Sequence, residues 1–168
     1  MRNMSATIAA LRKPASRKLP SPRPRSRKWK VLVATDGSRG GHAALRFAAD
    51  LAAKPGTSLT VITVAPERPA GETADPRRHA EKSLAAAARE LGRAGVSADL
   101  RVVRAGPQES IPEAIRRESE RVQADLIVIG SEGRDTLSEW VVGGVALRLI
   151  YLATRPVTVV RPARKRRG

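Results

Sequence analysis

The chain has 168 residues, a formal net charge of +16, no cysteine and only two histidines. That length suits one domain with a sizeable core and room for unstructured ends. The missing cysteines exclude disulfides, thiol catalysis and Cys-based metal sites, and His42 and His79 fall at no metal-ligand spacing. No apolar run approaches a membrane span, so a soluble, cytoplasmic protein is expected.

The charge is unevenly placed. Residues 1–30 hold ten Lys or Arg and no acid, and residues 161–168 hold five more, which leaves 17 basic against 16 acidic residues between 31 and 160. Domain boundaries are therefore expected at 1–28 (basic disordered tail), 29–161 (domain) and 162–168 (basic C-terminal tail). The Pro-, Ser- and Arg-rich stretch from Lys13 to Lys28 has no apolar periodicity with which to offset the entropy of ordering. Its alternatives are a solvated tail, an electrostatic arm for nucleic acid or anionic lipid, and an organelle transit segment. Without interleaved aromatics, any nucleic-acid binding by the tails would be weak, non-specific and steeply salt-dependent.

From Lys30 onward, short β-branched runs alternate with amphipathic stretches. Val31–Ala34 reads as the first strand and ends at Thr35-Asp36-Gly37-Ser38. Ala44, Phe47, Ala48 and Leu51 then recur at the spacing of one helix face, with Ser38 as N-cap and Pro55-Gly56 as stop. Ser58–Val64 is the second strand, and residues 66–76 form a loop. The stretch from about Pro76 to Ala94 is helical, and Ala98–Val103 is the third strand. Gly106-Pro107 opens the next helical segment, in which Pro112 marks either a start or a kink. Leu126–Ile129 is a continuous apolar run, as expected of a strand buried on both faces. A helix over roughly Val141–Leu152 and a strand over Pro156–Val160 follow. Five strands alternating with four helices imply an α/β fold, with right-handed crossovers and helices on both faces of a parallel sheet.

Ligands of such sheets bind beyond the carboxyl ends of the strands, where the strand order reverses. Two loops occupy such positions: Thr35–Ser38, and Gly130-Ser131-Glu132-Gly133-Arg134. Glycine there lets backbone N–H groups approach phosphate oxygens. Each loop alone is also what an ordinary turn looks like. Ser38 is read as a cap and not a nucleophile, since no histidine is placed to activate it.

Gly130-x-x-Gly133, nine residues and then Gly143-Gly144 together resemble the universal stress protein signature G-x2-G-x9-G-[S/T]. Ala124–Ile129 before it, Arg155–Arg161 after it and Val31–Ser38 at the start are similar to that family's other landmarks, in the same order. The resemblance implies a Rossmann-like fold of the adenine nucleotide alpha hydrolase type, with a five-stranded parallel sheet of order 3-2-1-4-5. It also implies a homodimer through the last strand, Pro156 to Arg161, and ATP binding, with Mg2+ accompanying the nucleotide. By matching positions, Asp36 would meet ribose and Val64 would offer backbone to adenine. Gly130, Gly133 and Gly143 would surround ribose and phosphates, and Thr35, Gly144 and Val145 complete the set. Arg134 is added on chemical grounds, as a cation at a phosphate loop.

Two departures stand out: Gly144 replaces the motif's hydroxyl residue, and Glu132 puts a carboxylate in the loop. The expected function is an adenine-nucleotide-binding module in the stress response, with protein partners unknown. A dimeric scaffold without nucleotide is the alternative. There is neither a Walker A sequence nor a G-x-G-x-x-G, so at most slow ATP hydrolysis or autophosphorylation is expected, with no catalytic residue named.

Overall fold

The structure is a computed structural model that describes residues 28–67, 75–131 and 143–163. Its elements run β1 (Trp29–Ala34), α1 (Arg39–Ala52), β2 (Thr57–Pro66), α2 (Pro76–Arg93), β3 (Asp99–Ala105), α3 (Ile111–Arg121), β4 (Leu126–Gly130), α4 (Gly144–Leu152) and β5 (Val157–Val160). All pairings are parallel, and the order is β3-β2-β1-β4-β5. The expected fold and strand order are those observed. Most of the two basic tails and of the loop after β2 lies outside the described residues.

Alternation along the strands sorts the core into two layers. Val31, Val33, Leu59, Val61, Leu126 and Val128 face Ala44, Leu45 and Ala48 of α1 and Ala87 and Leu91 of α2. Leu32, Ala34, Ile62, Val103, Ile127 and Ile129 face Ala114 and Ile115 of α3 and Ala146 and Leu149 of α4. The aliphatic core that the scarcity of aromatics demanded is thus split evenly across the sheet.

Helix starts follow local chemistry. Ser38 caps α1, its Oγ accepting from Gly41 N at 3.0 Å. Asp75 caps α2 through Arg78 N. α3 begins at Ile111, later than Gly106-Pro107, because Ser110 and Glu113 form a capping box: Ser110 N donates to Glu113 Oε2 at 2.8 Å. Pro112 therefore sits in the first turn, where no N–H is needed, and kinks nothing.

The arginines of α3, which sequence alone leaves as solvated cations, are paired. Arg117 holds Glu109 at 2.7 Å, Arg116 holds Glu120 at 2.8 Å, and Arg121 holds the buried Glu118 at 2.6 Å. Arg101, itself bonded to Asp99, approaches Glu118 from β3 at 3.5 Å. Burial pushes the Glu118 carboxyl up, against the pull of Arg101 and Arg117.

Hydrogen bonds from Ser110 hold Glu113 below the ordinary glutamate value of 4.5, and the Arg117 hydrogen bond does the same for Glu109. A depressed carboxylate adds stability that is present above its unfolded pKa and is lost as pH falls through the lower folded value. Glu113→Gln keeps an acceptor for the Ser110 N–H but removes that titration. Its urea midpoint is expected to fall less than the parent's between about pH 5 and about pH 3, and to stay near the parent's at neutral pH. Identical acid sensitivity would contradict the assignment.

Candidate functional site

The parallel sheet brings the carboxyl ends of β1 and β4 together as neighbours. α1 packs on one face of the sheet and α4 on the other, which makes the neighbouring tips of β1 and β4 the place where a sheet of this kind forms its crevice.

The β1 side is held backbone atom by backbone atom. Thr35 is buried and donates its N–H to Ile62 O at 2.9 Å. Its Oγ1 accepts from Gly37 N at 3.3 Å, and Asp36 Oδ1 accepts from Ser38 N at 2.9 Å. Gly37 takes φ +77°, where a Cβ would be strained and would also lie 2.9 Å from Ser83 Oγ. From α2, His79 Nε2 lies 3.2 Å from Asp36 O, and Ser83 Oγ donates to the same carbonyl at 3.1 Å. A carbonyl only accepts, so the histidine tautomer consistent with this contact carries its proton on Nε2.

The β4 side abuts the first turn of α1 with nothing between. A Cβ on Gly130 would fall 2.4 Å from the carbonyl carbon of Gly40. Ser131 follows, its N–H donating to Val160 O at 2.8 Å and its carbonyl accepting from Gly143 N at 2.7 Å. Ser131 is 2% exposed, and among the described residues its hydroxyl has no hydrogen-bond partner. Thr63 Oγ1, near the end of β2, is buried and has no partner among them either.

The N-terminus of α4 completes the crevice. Unlike α1, α2 and α3 it begins without a side-chain cap: Gly143 is the N-cap, and no acid lies in the first turn. Among the described residues no side chain caps its leading N–H groups, the kind of helix start that suits an anion.

The structure gathers Thr35, Asp36, Gly130, Gly143, Gly144 and Val145 at the carboxyl end of the sheet, with Val64 near the end of the adjacent β2. Gly133, Arg134 and Glu132 lie outside the described residues. Among the described residues no three His, Asp or Glu side chains are grouped to hold a metal, and no helix is long and apolar enough to cross a membrane. His79 and Ser83 escaped sequence reasoning. The available signal was Ser83 itself, a hydroxyl on the same stripe as Ala80, Ala87 and Leu91.

Gly130→Ala is expected to force α1 from β4 and to cost roughly 1–3 kcal/mol. Gly144→Ala, whose Cβ meets nothing within 4 Å, is expected to change stability by no more than about 0.5 kcal/mol. Urea unfolding of both variants checks this; equal costs would show that the approach at Gly130 is not tight.

Residues 29–161 match the family model described as "Universal stress protein family". A universal stress protein of Mycolicibacterium smegmatis is 33% identical over 139 residues, covering 79% of this chain and 45% of that protein. The chain thus spans less than half the length of that relative. A universal stress protein family structure from Burkholderia pseudomallei has TM-score 0.65 and 28% identity, covering 83% of this chain and 100% of that one. The Archaeoglobus fulgidus universal stress protein in complex with dAMP has TM-score 0.59 and 25% identity, covering 79% and 97%. The matched span takes in the whole described sheet, the Asp36 turn and the Gly130 approach, and on that footing the chain belongs to the universal stress protein family.

Proposed function

We propose that the chain binds an adenine nucleotide, ATP with Mg2+ being the expected form, as a cytoplasmic stress-response module. The observation that carries this reading is the buried, unpartnered hydroxyl of Ser131 beside the uncapped N-terminus of α4. A buried hydroxyl without a partner costs about 1–3 kcal/mol, and a ligand oxygen at that point would satisfy it. The N–H groups of Gly144 and Val145 suit phosphate, and Asp36 suits a ribose hydroxyl. The backbone of Val64 borders the place for the base, and Gly133 and Arg134 belong to the same proposed set. Mg2+ would arrive on the phosphate oxygens, keeping most of its waters. The A. fulgidus relative in complex with dAMP supports the ligand class. The open α4 terminus also answers the missing hydroxyl at Gly144: a backbone N–H can serve in its place.

Calorimetric titration of AMP and of Mg·ATP into the full chain tests this. Saturable one-to-one binding is expected, weakened about tenfold or more by Asp36→Asn, which keeps an acceptor for Ser38 N while losing the charge. No saturation by either nucleotide at millimolar concentration would refute the reading.

A dimer through β5 belongs to the same proposal. The carbonyls of Pro156 and Val160 face β4, so alternation turns the backbone groups of Val157 and Val159 outward. Beside this edge, Leu147, Ile150 and Tyr151 of α4 are exposed, Tyr151 at 86%. Such an apolar edge invites a second copy. Light scattering is expected to show a dimer that Ile150→Glu converts to monomer; a monomeric parent would contradict the interface.

A further inference from the structure

α2 lies over β2 and β3, at the side of the sheet away from β5. Ala80, Ser83, Ala87 and Leu91 form its buried face. At 3.6 residues per turn, Arg78, Lys82, Arg89 and Arg93 fall within about 60° of one another on the opposite, outward face, and they span about 22 Å of helix. All four are exposed, and among the described residues none of their side chains forms an ion pair. The acids of α2 stand to either side and are engaged: Glu81 takes Arg77 at 3.0 Å, and Glu90 takes His42 at 2.8 Å and Arg46 at 3.4 Å from α1. Folding does not ask for this arrangement. Arg78–Lys82 and Arg89–Arg93 are like-charged pairs at i, i+4, which repel, whereas Arg77–Glu81 and Arg116–Glu120 use the same spacing for attraction. Arg78 also lies in the first turn, at the positive end of the helix dipole, and only Arg93, in the last turn, suits that dipole.

We propose that the outward face of α2 is a rail for the phosphates of a double-helical nucleic acid, gripped through its backbone without regard to sequence. A duplex carries a dense, stiff row of negative charge, and a helix already fixed on the sheet meets several phosphates at once. Three of the four cations are arginines, whose planar guanidinium groups suit phosphate oxygens. The residue between Lys82 and Arg89 on this face is Ala85, and no aromatic stands there to stack unpaired bases, so a duplex fits better than a single strand. A lipid surface fits worse, because the apolar side of α2 is buried against the sheet and leaves nothing to insert. The rail is separate from the nucleotide crevice and from the β5 edge, so it stands whether or not those readings do.

The test follows a labelled, mixed-sequence DNA duplex by fluorescence anisotropy over a range of salt, with three forms of the full chain. These are the parent, Arg78→Gln/Lys82→Gln/Arg89→Gln/Arg93→Gln, and Lys54→Gln/Arg104→Gln/Arg148→Gln/Arg161→Gln. The last loses the same charge from exposed residues on four separate parts of the fold, which cancels the effect of overall charge. The α2 variant is expected to lose about tenfold or more in affinity and to flatten the slope of log affinity against log salt by about 3; the scattered variant is expected to lose less than about threefold and to change the slope by about 1. Arg78→Gln/Lys82→Gln alone is expected to give about half of the α2 slope change. The urea midpoint of the α2 variant is expected at or above the parent's, since two repulsive pairs are gone; a clear fall would give these residues a structural role and overturn the proposal. Equal losses in the two quadruple variants overturn it, as does a parent that binds no duplex. Vesicles of phosphatidylserine and phosphatidylcholine are the second probe: an α2 variant that loses vesicles and keeps duplex overturns the nucleic-acid rail in favour of a lipid surface.

Discussion

The approach of the α1 first turn to the tip of β4 is the constraint on which the rest of the molecule depends. Gly130 and Gly40 meet backbone to backbone, where a single methyl group would collide. That contact draws the turn after β1 and the end of β4 at Gly130 and Ser131 together. It acts together with the strand order, which makes β1 and β4 neighbours while sending their helices to opposite faces. Tight glycine contacts are costly in chain entropy, and here that cost brings together backbone from residues almost a hundred positions apart, Gly40 and Gly130.

The polar groups around the crevice divide into two kinds. On the β1 side almost everything is satisfied internally: Thr35, Asp36 and Ser38 bond their own turn, and His79 and Ser83 secure the Asp36 carbonyl from α2. On the β4 side, among the described residues, the Ser131 hydroxyl has no hydrogen-bond partner and the α4 terminus has no side-chain cap. Three helices capped by side chains and one not is difficult to explain by folding alone, since a cap is worth roughly 0.5–2 kcal/mol. The asymmetry makes sense if the first wall is a rigid template and the second receives the ligand. His79 and Ser83 then belong to the template: two donors on one carbonyl fix the peptide from which the Asp36 side chain projects.

The alternation of apolar runs was enough to read the elements and their order from sequence, because each strand obeys a period of two and each helix the 3.6-residue stripe. Asp36, Gly37 and Gly130 could be placed at strand ends for the same reason, since they close or closely follow β1 and β4. What stayed hidden depends on pairs of residues far apart in the chain. His79 carries no local pattern that ties it to Asp36, and Glu118 looks like one more charge among the arginines of α3 until β3 packs over it. Pro112 was ambiguous because a proline reads alike at a start and at a kink; the Ser110–Glu113 capping box resolves it. Tyr151 shows the converse limit: it sits on an apolar helix, yet it is 86% exposed, and among the described residues β5 has β4 as its one neighbouring strand.

Charge follows the direction of the strands. The portion between residues 31 and 160 is nearly neutral, so +15 of the +16 belongs to two segments joined at opposite ends of a parallel sheet. An antiparallel last strand would have carried Arg161 to the far end, beside the start of β1. Parallel topology instead brings Arg161 out at the end where β1 and β4 finish, and Arg39 donates to Ala163 O three residues past the strand. Composition counts the two segments alike, but topology attaches them to opposite ends of the strands, the first at the start of β1 and the second at the end of β5.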